Sequence, residues 1–184
     1  MDTIFYCPDI QHSVEMPESE SQHCARVLRM KEGDKLLITD GKGYFYRAQL
    51  LQSHPKRCII EIETKIAQPK EWIYDLEIAF APTKNIDRTE WFVEKATEIG
   101  IDILSPINCR YSERKNINNK RIEKKMIAAM KQSLKSRLPQ NNAIIDFEKL
   151  IKRPFEAQKF IAHCFNTDKA SLATFIASIY DVSG

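Results

Sequence analysis

The chain has 184 residues, of which 43% are hydrophobic, 29% charged and 9% aromatic, and its formal net charge is +3. That is ordinary globular composition, enough for one large or two small domains, and eight prolines with five glycines exclude a collagenous or low-complexity chain. No stretch approaches the roughly 18 consecutive apolar residues of a membrane span, and the opening MDTIFYCPDI lacks the basic region and apolar core of a secretory leader, so no membrane partner and a cytoplasmic location are expected.

The first seventy residues read mostly as strands. Ser21 to Met30 (SQHCARVLRM) is a short helical stretch closed by Gly33. Asp34 to Thr39 (DKLLIT) leads through Asp40-Gly41-Lys42-Gly43 into Tyr44 to Leu51 (YFYRAQLL), and Asp-Gly between apolar runs is a hairpin signal because glycine supplies the positive φ of a tight turn. Arg57 to Glu63 (RCIIEIE) alternates like a half-buried strand. The pattern predicts a compact β-barrel module over residues 1–69, followed by a linker at Ala67 to Glu71. Tyr74 to Ala81 then reads as a strand ended by Pro82, and Asp87 with Glu90 reads as a capping box. The helix that follows runs to about Ile99 and ends at Gly100. Ile101 to Ile107 is a further strand, and a long helix is predicted over Lys120 to Leu138 with Ile122, Met126, Met130, Leu134 and Leu138 along one face. Ala143 to Phe147 and Lys159 to Phe165 (KFIAHCF) complete the predicted strands. Strands alternating with helices indicate a parallel-sheet α/β domain over residues 73–184, so the fold class is α/β plus a small β module.

Charge is unevenly spread. Residues 71–109 carry a net −5, whereas residues 110–137 carry ten basic side chains against Glu113 and Glu123, a net +8. Such a segment is either a solvated helix face or the footprint of a phosphate-backbone contact. The flanking loop Arg110-Tyr111-Ser112-Glu113-Arg114-Lys115 favours RNA, because guanidinium planes and a tyrosine ring bind phosphates and stack on unpaired bases. Arg121 and Arg137 belong to the same basic segment. Lys84 and Arg88 lie in a loop and first helical turn after a strand, the carboxyl edge at which α/β sheets bind ligands. Trp91 is expected to pack against the sheet. Five widely spread cysteines without a C-x-x-C pair predict reduced thiols and no metal site. No P-loop, G-x-S-x-G, H-E-x-x-H or G-x-G-x-x-G motif occurs, and the stretch between Gly100 and Gly184 holds no glycine, so a glycine-rich cofactor loop is not expected there.

These residues resemble a known family. His23 with Arg26-Val27-Leu28-Arg29, Gly33-Asp34 and Asp40-Gly41 look like the N-terminal module of the RsmE-type ribosomal RNA uridine-N3 methyltransferases. Lys84 to Gly100 (KNIDRTEWFVEKATEIG), with Pro106 following, is the most specific match. Arg110 to Arg114 and Lys131-Gln132-Ser133 with Arg137 and Pro139 are similar to two further stretches, although Lys131 stands where the family usually has Glu.

The resemblance implies a PUA-like β-barrel, then a SPOUT-type α/β domain with a C-terminal trefoil knot. It also implies a homodimer, S-adenosylmethionine as methyl donor, and 16S rRNA of the small ribosomal subunit as substrate. On that resemblance Arg26 and Arg29 join Lys84, Arg88, Arg110, Arg114, Lys115, Arg121 and Arg137 as expected RNA-binding residues. His163, Cys164 and Phe165 are expected to border the cofactor pocket, and no residue is singled out as catalytic base. The sequence has no counterpart of the family's G-P-E-G-G loop, so the knot region is expected to be missing or incomplete. The alternative function is therefore a non-catalytic RNA-binding protein of the same descent, and a protein-interaction scaffold with a merely solvated basic helix is a third class.

Overall fold

The computed structural model describes residues 3–70, 72–156 and 158–162. Residues 1–152 form one compact unit and residues from 153 onward a second.

The first sheet has the order β1-β2-β3-β4, from β1 (Ile4–Tyr6), β2 (Lys35–Thr39), β3 (Tyr44–Gln52) and β4 (Ile59–Ala67). β1 joins β2 in parallel, with Ile4 opposite Leu37, and the other pairs are antiparallel. The Asp-Gly signal holds: Gly41 and Gly43 both have positive φ, and Asp40 accepts from the amides of Lys42 and Tyr44 and from the Tyr46 hydroxyl. Alternation along β3 sends Tyr46, Ala48 and Leu50 into a core with Phe5, Ile38, Cys24, Cys58 and Ile60. The expected barrel takes the form of this four-stranded sheet, extended by a bridge between Glu15 and Ile59. The predicted 21–30 helix is two pieces. α1 (Glu18–Gln22) runs into a π-helical turn over His23–Val27, where the Leu28 amide reaches back to the His23 carbonyl.

The second sheet is wholly parallel among the described residues. β5 (Glu77–Phe80) and β7 (Gln140–Asn141) flank β6 (Ile103–Asn108), and β8 (Ile145–Asp146) pairs with the far end of β6. α2 (Ile86–Ile99) and α3 (Asn119–Gln132) pack together, with Val93, Ala96, Leu104, Ile122 and Met126 forming a second core. α4 (Phe147–Lys152) follows β8 directly. Among the described residues no helix is long and apolar enough to cross a membrane.

Several predicted details change. The α2 cap is Asn85, whose side chain accepts from the Asp87 amide, and Glu90 points into the structure rather than completing a capping box. α2 does end at Gly100, in the left-handed conformation. α3 stops six residues before Leu138: the Ser133 hydroxyl bonds the Ala129 carbonyl and Leu134 adopts φ 55. The chain leaves the helix there because residues 136–138 pair with the β-module hairpin instead. Trp91 is 63% exposed and does not pack against the sheet, because helical rotation places Val93 and Ala96 on the buried face. The predicted 143–147 strand shrinks to β8, with β7 unpredicted. In the predicted 159–165 strand, residues 159–162 are not in a strand ladder among the described residues, and Phe160 and Ile161 are exposed. Residues 163–165 lie outside the described residues.

The β and α/β modules meet at a bonded joint. The Gly43 amide donates to the Ser136 carbonyl at 2.9 Å, the Leu138 amide to the Gly41 carbonyl at 2.9 Å, and Thr39 Oγ1 to the Ser136 carbonyl at 3.2 Å. Between β4 and β5, Lys70 is held by Asp75 and Asp102, and the Trp72 indole and Leu76 amide both donate to Asp102 at 3.0 Å. A cleft of about 380 Å³ lies at this joint, at the amino edge of the parallel sheet. A second tie is Lys131 of α3, which reaches both carboxylate oxygens of Glu20 in α1 at 2.7 and 2.8 Å.

Candidate functional site

The carboxyl edge of the parallel sheet, where ligands of open α/β folds bind, is built by the loops after β5 and β6. They are clasped together: Arg114 donates to the carbonyls of Thr83 at 3.0 Å and Lys84 at 2.8 Å, and Lys84 pairs with Glu113 at 3.2 Å. Thr83 is fixed in turn by Thr89 in the first turns of α2. Arg110 stacks 5.4 Å over the exposed Tyr111 ring. Beside this edge a depression of about 450 Å³ is lined by Asp87, Arg88, Trp91 and Phe92.

Electrostatics behind this edge centre on Glu90, whose side chain is 7% exposed. It pairs with Arg121 and, at 3.5 Å, with Lys125. The Arg121 guanidinium chiefly, with Lys125, holds its carboxyl below the usual range despite burial. Arg121 is therefore committed to an internal carboxylate. Arg137 is committed too: it bonds the Lys42 and Gln68 carbonyls at the joint, its guanidinium lying against Gly43.

The nine predicted RNA-binding cations thus fall into two groups. Lys84, Arg114, Arg121 and Arg137 are paired within the protein, and Arg110 rests on Tyr111. Arg88 and Lys115 at the carboxyl edge, and Arg26 and Arg29 in the β module, are exposed, and their side chains make no hydrogen bond or ion pair among the described residues. The structure does not bring all nine to one spot: Arg26 and Arg29 occupy a tip of the β module, Arg137 the joint, and the rest the carboxyl edge.

Of the cofactor-side expectations, His163, Cys164 and Phe165 lie outside the described residues. Sequence reasoning missed Asn108 at the end of β6. Its buried Oδ1 has no hydrogen-bond partner among the described residues, an unsatisfied acceptor at the sheet edge that only the three-dimensional packing reveals. Burial raises the Cys7 and Cys24 thiols to about 12, with the neighbouring Cys58 adding to the latter, which makes them unreactive. No group of three or more metal-ligating side chains occurs among the described residues.

Residues 70–181 match the family model of an RNA methyltransferase domain, and residues 17–63 that of an RNA methyltransferase PUA domain. The chain is 24% identical over 168 residues to the ribosomal RNA small subunit methyltransferase E of Bacillus subtilis (strain 168), covering 87% of this chain and 65% of that protein. To the protein of the same name from Buchnera aphidicola subsp. Schizaphis graminum it is 26% identical over 119 residues, covering 65% of this chain and 47% of that one. Among solved structures, a probable rRNA-methyltransferase from Porphyromonas gingivalis superposes with a TM-score of 0.77 at 40% identity, over 83% of this chain and 64% of that one. A ribosomal RNA small subunit methyltransferase E from Neisseria gonorrhoeae, solved bound to S-adenosyl methionine, shares the fold with a TM-score of 0.72 at 23% identity, over 84% of this chain and 66% of that one. The chain therefore spans less than two thirds of the length of the curated relatives it matches. With the methyltransferase-domain match extending over more than half of its residues and the PUA match preceding it, the chain belongs to the RsmE-type family of RNA methyltransferases.

Proposed function

We propose that the protein takes part in S-adenosylmethionine-dependent methylation of a uracil N3 in small-subunit 16S rRNA, acting as a homodimer. The reading is carried by the methyltransferase-domain match over residues 70–181 together with an exposed cationic carboxyl edge. The Asn108 Oδ1, buried and lacking a donor among the described residues, fits a cofactor that presents amino groups, and Asn108 would accept from it. When bound, that group supplies a methyl on a positively charged sulfur, an electrophile that needs alignment more than activation.

The protein's own work is then on the acceptor. Uracil N3 carries a weakly acidic proton and is hidden in base pairing, so the base has to be freed and its anionic form stabilised. The two cations that follow β5, Lys84 and Arg88, are not equivalent. Lys84 is partly neutralised by Glu113, whereas Arg88 projects unpaired, among the described residues, from the first turn of α2. Arg88 is therefore the cation assigned to the developing uracil anion, and the clasp of Arg114 on Thr83 and Lys84 holds the neighbouring loop in place.

The test is methyl transfer from a labelled donor to small ribosomal subunits lacking the modification, read by primer extension, which halts where N3 methylation blocks pairing. Arg88→Ala should lower kcat by at least about tenfold, the scale of one lost electrostatic contact to a developing charge. Transfer to another atom, or none above a protein-free blank, overturns the reading. Retained RNA binding in the second case would favour the non-catalytic alternative.

A further inference from the structure

The β module carries a feature that methyl transfer does not use. Arg26, Val27, Leu28 and Arg29 are four consecutive exposed residues, with Val27 64% and Leu28 39% exposed. Both ends of the run are anchored. Before it, Cys24 is fully buried and the His23 ring sits edge-on to Phe5 at 6.0 Å. After it, the Met30 amide returns to the Cys24 carbonyl, the Met30 carbonyl accepts from Ser53, and the Lys31 amide donates to Asp34. The run is a fixed projection, with side chains that have no work inside the fold.

Its backbone is unusual as well. The turn is π-helical, and Arg29 has φ 53 at the position after the helix end where glycine is the ordinary choice. Arginine there adds nothing to folding that glycine would not do better, and its guanidinium makes no hydrogen bond or ion pair among the described residues. Single exposed aliphatics are commonplace, but an aliphatic pair bracketed by two such arginines on a strained, anchored turn is a defined surface.

We infer that the Arg26–Arg29 tip is a wedge for paired RNA, with Val27 and Leu28 pressing into a base step at a helix end or bulge while Arg26 and Arg29 hold the flanking phosphates. The RNA partner rests on the function proposed above, and the wedge deepens that function by supplying the step it needs, the release of a base from its pair. Charge selects a polyanion as the occupant. The absence of an aromatic side chain within the tip argues against a stacking platform for single strands, which uses rings. Aliphatic side chains beside cationic contacts are what minor-groove proteins insert to open a base step in DNA, and paired RNA exposes a wide, shallow minor groove that such a tip can reach.

The test uses the 184-residue chain without any methyl donor and short RNA hairpins carrying 2-aminopurine at the terminal step, at a bulge, or in mid-stem. Wild-type protein should raise the fluorescence of the terminal or bulge probe and leave the mid-stem probe unchanged. Val27→Ser with Leu28→Ser should keep affinity within about threefold and the same salt slope, yet lose most of the fluorescence rise, and Leu28→Met should retain it. Arg26→Ala with Arg29→Ala should weaken binding roughly tenfold and flatten the salt slope by about two. An equal rise for wild type and the double-serine variant, tighter binding to single strands, or no RNA binding by wild type overturns the wedge. A change of oligomeric state in the double-serine variant with RNA binding untouched would instead assign the tip to a protein contact. Methylation failing while unstacking persists would count against the proposed function alone, and methylation without unstacking against the wedge alone.

Discussion

Replacing Lys131 with Met measures how firmly the β module is tied to the α/β module. Lys131 Nζ lies 2.7 and 2.8 Å from the two oxygens of Glu20, with side chains 21% and 10% exposed. At an effective dielectric of about 20 the gross attraction at this separation is roughly 6 kcal/mol, but withdrawing two charges from water removes several kcal/mol of it. A net coupling of about 2–3 kcal/mol remains, and the aromatic face of Phe5, 5.9 Å from the ammonium, adds little. The two single variants should differ. Lys131→Met strands a carboxylate that water hardly reaches and should cost about 3 kcal/mol, whereas Glu20→Gln leaves an ammonium able to swing into solvent and should cost about 1–2 kcal/mol. The double variant should return to within about 1 kcal/mol of wild type. Urea unfolding reads all four proteins, and with a slope near 2 kcal/mol per molar the Lys131→Met midpoint should fall by about 1.5 M. A coupling below about 0.5 kcal/mol would show that the pair is solvated and that the hairpin joint alone holds the modules.

Two further outcomes concern the joint. Gly43 has φ 101, and an added Cβ would meet the Arg137 guanidinium at 2.5 Å, so Gly43→Ala should cost about 2–3 kcal/mol. Arg137→Ala should cost about 1 kcal/mol, and equal costs in chemical denaturation would show that the backbone contributes nothing. Burial pushes the Asp102 carboxyl up, but the ammonium of Lys70, the Trp72 indole and the Leu76 amide outweigh it and hold it below its ordinary 3.8. A lowered carboxyl stabilises the fold above the unfolded value and loses that contribution as pH falls through the folded one. Wild type should therefore weaken below about pH 4, while Asp102→Asn, already about 1–2 kcal/mol less stable at neutral pH, should show a flatter acid limb in thermal melts.

Much of the fold was legible because local chemistry and tertiary structure agreed. Asp40-Gly41 made the hairpin, Gly100 ended α2, and the 3.6-residue spacing of Ile122, Met126 and Met130 found the buried face of α3. The misses share one cause, a local signal overruled by a partner far along the chain. The apolar period continues through Leu134 and Leu138, but Ser136 and Leu138 bond to the hairpin ninety-odd residues earlier, and the helix ends to allow it. Asp87 and Glu90 have the spacing of a capping box, yet Asn85 caps and Glu90 is drawn inward by Arg121. Such competitions are settled by interactions that no window of sequence contains.

The same distinction decides the site. A net +8 over residues 110–137 measures charge density, whereas binding an anion requires charge that is still available. Arg121 is consumed by Glu90, Lys131 by Glu20, and the donors of Arg114 and Arg137 by backbone carbonyls. Each of these holds an element in place. Moving one of them onto a phosphate would leave a buried carboxylate or a loop carbonyl without its partner, a loss comparable to what the phosphate would supply. Arg26, Arg29, Arg88 and Lys115 carry no such penalty, because they are exposed and unpaired among the described residues. Two of these lie on the β-module tip and two at the carboxyl edge of the parallel sheet, in separate modules joined by the Ser136 bonds and the Glu20–Lys131 pair. Under the proposed function, an RNA that engages both must fit the spacing this joint imposes, so the paired arginines and lysines of the basic segment would act through geometry and the four exposed cations through direct binding.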